Sequence, residues 1–274
     1  MALIANYANS KKNKGKSIFD GVSQTIVKID EYDCTLPLFY YGNRALAGLF
    51  LVKTSKVKEM VPDVRLRPMT IVPGLSVATL ISFEFDTSIG PVNEFYVGIP
   101  THVSGKLPFG LAALQELFEG YMPVWCAHLP VSTDIAWRFG IRTWGFPKTL
   151  ADIPFKDTAD GKVCSEVIYD GTPATRLTGS KKTGKLNWKL TIKNLLWQEG
   201  TLQSADHVFD MKNFRISIPG DIRIETLSNA KLAKDLEDIL LFKRAVASIY
   251  IPNLQALLFE PDRNPPTLNR TLDV

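Results

Sequence analysis

Lys148 follows directly on Trp144, Gly145, Phe146 and Pro147. A lysine is normally left in water, because stripping solvent from an ammonium group is expensive. Held among aromatic and proline rings, it relieves that cost by losing its proton, and buried lysines fall to about pKa 5–6. The neutral amine attacks carbonyl carbon and forms Schiff bases. An exposed lysine after a proline turn is the ordinary alternative, so the rest of the chain must supply the enclosure.

The elements around this segment are mostly extended. Val92 to Ile99 alternates, with Val92, Glu94 and Tyr96 on one face and Asn93, Phe95, Val97 and Ile99 on the other. Ala45 to Val52 is apolar at both parities, as in a buried strand, and Arg44 stands at its start. Further strands are expected over 64–72, 75–85, 124–131, 163–169, 174–178, 187–195, 214–218, 222–227, 245–251 and 256–259. Pro73-Gly74, Asp170-Gly171 and Pro219-Gly220 supply turn signals, the last two of hairpin type. Ser132 is placed to cap a short helix over 134–139, with Gly140 as its end. Helices are also expected over 55–61, 108–120 and 231–241, the last with Leu232, Leu236, Ile239 and Leu240 as its apolar stripe.

Many short strands without regular strand–helix alternation argue against a doubly wound parallel sheet. The expected architecture is mainly β, with curved antiparallel sheets forming a cone or barrel around a cavity and a few peripheral helices. Residues 1–20 read as a basic arm and 21–274 as one domain.

Composition narrows the chemistry further. The chain of 274 residues is 45% apolar and 22% charged, with a net charge of +4. Much of the excess sits in runs over 11–16 and 181–185, too scattered for a nucleic-acid-binding stripe. No apolar run nears the roughly 20 residues of a membrane span, and the amino terminus has no signal-peptide pattern. A cytoplasmic protein is expected. Cys34, Cys126 and Cys164 lie far apart, and His102, His128 and His207 have no second ligand at metal-binding spacing. His128, beside Cys126 and Leu129, suits a hydrogen-bonded core position. Gly179 to Lys185 matches most of a phosphate-binding loop, but Leu186 stands where a hydroxyl is needed and a strand-like run follows.

At Gly145-Phe146-Pro147-Lys148 the chain resembles the acetoacetate decarboxylase family. Three other segments agree in order: Gly42-Asn43-Arg44; Lys58-Glu59-Met60-Val61-Pro62; and Asp86-Thr87-Ser88 followed by Glu94 and Ile99-Pro100. The likeness is close from about Tyr40 to Ala151 and loose beyond. It implies a cone-like antiparallel structure around a buried apolar site. Lys148 would be the Schiff-base lysine and Glu94 the active-site carboxylate, with Arg44 near the pocket and Trp144, Phe146 and Tyr96 about the substrate. No metal or organic cofactor is implied, the partner is a small keto acid, and a homo-oligomer is expected by analogy. Activated lysine in this family is an established example of the principle.

Two positions depart from the pattern. Thr149 stands where the family often carries a second lysine. The strand before Asp86 lacks a second glutamate near Thr79 or Leu80, with Glu84 as a partial substitute if it shares that face. Three functions follow: decarboxylation of a β-keto acid; Schiff-base aldol or dehydration chemistry on another keto acid; or non-catalytic binding of a small acid anchored by Arg44.

Overall fold

In the computed structural model, which describes residues 17–63, 66–103 and 121–263, sixteen strands and three helices follow one another along the chain. They are β1 (Thr25–Ile29), β2 (Tyr32–Leu36), β3 (Leu38–Lys53), α1 (Thr54–Glu59), β4 (Leu66–Pro68), β5 (Thr70–Val72), β6 (Leu75–Thr87) and β7 (Gly90–Val103). Then come β8 (Tyr121–Val131), α2 (Asp134–Trp144), β9 (Lys148–Leu150), β10 (Phe155–Asp157), β11 (Lys162–Tyr169) and β12 (Thr172–Ser180). The last are β13 (Thr183–Gln198), β14 (Thr201–Ser217), β15 (Arg223–Thr226), α3 (Lys231–Ile239) and β16 (Ala247–Leu258).

Seven strands close a barrel in the order β7-β6-β3-β16-β14-β13-β8, with β8 pairing back onto β7. Closure pairs each barrel strand on both sides over at least part of its length, which reduces the open edge a flat sheet would present. All neighbours are antiparallel except β8 and β13. The period-two pattern now acquires a direction. On β7, Val92, Glu94 and Tyr96 point into the barrel, while Phe95, Val97 and Ile99 point out.

The outward face is covered as well. A second sheet, β10-β11-β12-β15, and helix α3 pack Val163, Val167, Leu177, Leu232 and Leu236 against Leu46, Phe50, Leu80 and Phe95 of the barrel wall. This double burial is why Ala45 to Val52 is apolar at both parities, a pattern usual for strands covered on both faces. Covering the wall also keeps the strands bearing the cavity-facing residues fixed.

Several expectations change. The segments 214–218 and 222–227 do not form a hairpin. Both edges of β14 are taken by β13 and β16, and β15 crosses to the second sheet to pair with β12. The run over 181–185 likewise bridges two sheets, because β12 pairs with β11 and β15 while β13 enters the barrel. No helix follows it, so it has no phosphate-binding helix terminus. Asp170-Gly171 does turn the β11–β12 hairpin, with both residues at positive φ. The expected segments 245–251 and 256–259 are one strand, β16. Residues 1–16 of the arm expected over 1–20, and the helix expected over 108–120, lie outside the described residues.

Candidate active site

Helix α2 delivers Lys148 to the barrel. It starts at Thr133 rather than Ser132, with Thr133 Oγ1 accepting a hydrogen bond from the Ala136 N–H at 3.4 Å. It also runs past Gly140 and ends at Gly145, which adopts φ +68° and donates to the Ile141 carbonyl at 3.0 Å. The left-handed residue turns the chain sharply, so that Phe146 and Pro147 lead into β9. A Cβ at position 145 would lie 2.7 Å from Gln198 Cβ, in a region where L-residues are already strained. Gly145→Ala is therefore expected to cost about 1–2 kcal/mol, read by urea unfolding.

Strand β9 fills a gap in the wall. One edge of β8 pairs with β13 from Tyr121 to Trp125, and β9 takes over in parallel from Leu129 to Val131. Lys148 lies opposite Leu129 there. Its side chain passes over Gly140, where a Cβ would come within 2.4 Å of Cδ and Cε and 2.9 Å of Nζ. Glycine inside a helix costs about 1 kcal/mol against alanine. Here that cost makes room for the lysine, so Gly140 is a spacer and not the helix terminator that the sequence suggested.

Lys148 Nζ donates to Glu94 Oε1 at 3.1 Å, and both side chains are only 6% exposed. Their surroundings are mostly rings. Nζ is 5.8 Å from the Phe146 ring centroid, and Tyr40, Phe83, Leu129 and Phe209 complete the walls. The free space beside the amine is about 20 Å³, room for roughly one water. Trp144 does not line this space. It packs on Phe139 and Phe146 and donates to the Phe259 carbonyl at 2.7 Å, holding the segment from behind. Tyr96 does line it, and its hydroxyl donates to Asn194 Oδ1 at 3.0 Å. Burial raises both phenols, Tyr40 and Tyr96, well above their ordinary value, and the charge of Glu94 adds to the effect at Tyr40. Each is a neutral donor at physiological pH.

Arg44 is elsewhere. A register shift near Tyr41 sends Tyr40 into the cavity but turns Arg44 to the outer face. There its guanidinium bonds Glu84 and Asp157, each at 2.7 Å, and stacks 4.9 Å from the Phe155 centroid. Burial works against its charge, yet bonds from Glu84, Tyr250 and Asp157 hold it above its ordinary value. Arg44 ties the barrel to the second sheet and cannot orient a carboxylate in the cavity. Glu84 does share a face with Leu80, but it is this same outer face. The inner face of β6 carries Thr79, Ile81 and Phe83, so Glu94 is the one carboxylate lining the cavity among the described residues.

One group escaped sequence reasoning. His207 on β14 lines the cavity with Lys148 and Glu94, between the rings of Tyr40 and Phe209, and its Nε2 has no hydrogen-bond partner among the described residues. Its neighbour Asp206 faces out to Lys193 at 3.0 Å. The available signal was a histidine in an alternating strand, but its target is more than 50 residues away in sequence. His128 does take the core role, bonded to Asp235 of α3 at 2.8 Å.

Burial, with the charge of Lys148 adding to it, pushes His207 down to about 3 from an ordinary 6.5. The unfolded chain therefore binds a proton below pH 6.5 that the folded chain refuses until about pH 3. This stability is whole above pH 6.5 and is lost as pH falls, by up to about 1.4 kcal/mol per unit. Urea unfolding is expected to give about 2 kcal/mol less stability at pH 5 than at pH 7 from this site. His207→Phe should remove that share of the slope.

No family model matches the sequence, and no curated protein matches it. Solved structures do: the chain has the fold of the acetoacetate decarboxylase-like enzymes. One neighbour is an acetoacetate decarboxylase, with a TM-score of 0.55 and 14% identity over 82% of this chain and 88% of that one. The acetoacetate decarboxylase from Legionella pneumophila gives 0.56 and 13% over 82% and 86%. The enduracididine biosynthesis enzyme MppR, complexed with the condensation product of pyruvate and imidazole 4-carboxaldehyde, gives 0.60 and 10% over 83% and 89%. At these identities the likeness is one of fold.

Proposed function

We propose that the protein is a Schiff-base enzyme that decarboxylates a β-keto acid at Lys148. The observation that carries this reading is the buried Lys148–Glu94 contact at 3.1 Å, opening on a ring-lined cavity in a barrel of this fold. Burying two charges costs several kcal/mol each, so a purely structural pair here would be a poor use of the position. With its proton passed to Glu94, the amine has a lone pair for the ketone carbon. Carbinolamine forms, and Glu94 returns the proton to the departing hydroxyl as water leaves. The protonated imine then accepts the electron pair of the breaking carbon–carboxylate bond, and carbon dioxide departs. A proton taken up from solvent water is added to the enamine carbon, and hydrolysis of the resulting imine releases the ketone and restores the amine.

Apolar walls favour this step. The substrate carboxylate loses its localised charge in the transition state, so a site with no cation besides the reacting nitrogen among the described residues penalises it less there than in the ground state. His207 Nε2 and the Tyr40 hydroxyl supply neutral polar groups for the water that forms and is later consumed. The test is borohydride reduction with acetoacetate, with mass spectrometry to locate the adduct and carbon dioxide release measured in parallel. An adduct on Lys148 with accelerated release is the expected result. No adduct, with release at the buffer rate, would reject the reading.

A second reading is condensation or dehydration of another keto acid. It is favoured by the single cavity carboxylate and by the likeness to MppR, which has been seen with pyruvate and with a pyruvate condensation product. Trapping by pyruvate without release of carbon dioxide would decide for it.

A further inference from the structure

Next to the small space at Lys148 lies a second chamber of about 220 Å³ inside the barrel. Four side chains, Ile81, Phe83, Ile192 and Phe209, line both and form the neck between them. The chamber walls are apolar, built from residues such as Met122, Trp188, Leu190, Met211 and Phe214. No charged side chain lines it among the described residues. Its two hydroxyls are already committed: Thr79 Oγ1 donates to the Gly98 carbonyl at 3.2 Å, and Ser248 Oγ donates to Asp221 Oδ1 at 2.9 Å. The polar groups facing a ligand are instead grouped at the other end, in Lys148, Glu94, Tyr40 and His207.

This division assigns a substrate class. We infer that the keto acid carries an apolar substituent of about six carbons, linear or aromatic, which passes the neck and fills the chamber while its carbonyl meets Lys148. The inference rests on the Schiff-base reading of Lys148. Volume argues for it at both ends. About one water's worth of space at the amine leaves no room there for a long substituent. The chamber exceeds the roughly 150 Å³ of an apolar cavity that binds benzene. Chemistry argues for it too, because a charged or hydroxylated tail would find no free partner there and would lose its hydration uncompensated.

The experiment is borohydride trapping of the full chain with acetoacetate, 3-oxohexanoate and 3-oxooctanoate, each alone and in competition, read by intact mass. Trapping efficiency at low concentration should rise about fourfold per methylene, the ratio corresponding to about 0.8 kcal/mol. That is roughly 200-fold over the four methylenes that separate 3-oxooctanoate from acetoacetate. Ala47→Phe, which pushes a ring into the chamber, should lower trapping of 3-oxooctanoate more than that of acetoacetate. If that variant does not fold, the chain-length series on the unaltered protein decides by itself. Acetoacetate trapped as well as or better than 3-oxooctanoate overturns the inference and leaves the Schiff-base reading standing. No adduct with any of the three overturns both.

Discussion

Lys148→Met is expected to abolish the borohydride adduct and to lower keto-acid turnover by at least about 10⁴-fold, the scale on which removal of a covalent nucleophile is felt. Methionine keeps the apolar stem, so the walls stay filled. It also leaves Glu94 facing rings with no partner, and breaking one half of a buried pair costs about 3–5 kcal/mol. Adding Glu94→Leu should recover most of that stability without recovering activity, because replacing both halves by apolar groups is often neutral or stabilising. A denaturation series across the two single variants and the double variant measures the coupling. The other buried lysine, Lys193, serves as an internal control. It lies on the outer face of β13 against Asp206, one residue from the cavity-lining Ile192 and Asn194. An adduct that survives Lys148→Met and maps to Lys193 would end the catalytic assignment.

Gly140→Ala should separate stability from activity more sharply. The added methyl would overlap Lys148 Cδ and Cε at 2.4 Å, and the flexible end of the lysine is what has to move. Stability should change by no more than about 2 kcal/mol, since the roughly 1 kcal/mol that alanine gains as a helix former offsets part of the cost of displacing a buried, paired lysine. Turnover should fall by about 10²-fold, the effect of shifting a reacting group by roughly an ångström. Circular dichroism and trapping kinetics on the same preparation test both halves. A variant as active as the parent would mean that the amine position seen here is not the one used in catalysis.

Much of this arrangement could be read from local pattern. Alternation put Glu94 and Tyr96 on one face of β7, and both line the cavity. The apolar run from Trp144 to Pro147 marked Lys148 as enclosed, and the buried lysine confirms the enclosure. The same rules misled where a residue served a distant neighbour. Gly140 reads as a helix stop because glycine usually is one, although in the fold it admits a lysine eight positions on. Arg44 looked like a cavity residue until the register shift at Tyr41 reversed its side.

The sequence by itself determined a β-rich chain, an apolar segment leading into Lys148 and which residues share a strand face, since these depend on composition and on a two-residue period. Only the tertiary structure decided which face became the interior, because that follows from closing β7 onto β8 across the whole barrel. Closure brought His207 to Lys148, turned Arg44 and Glu84 outward, and left an apolar chamber beyond the neck. Each depends on strand pairings between segments tens of residues apart, which no local period encodes.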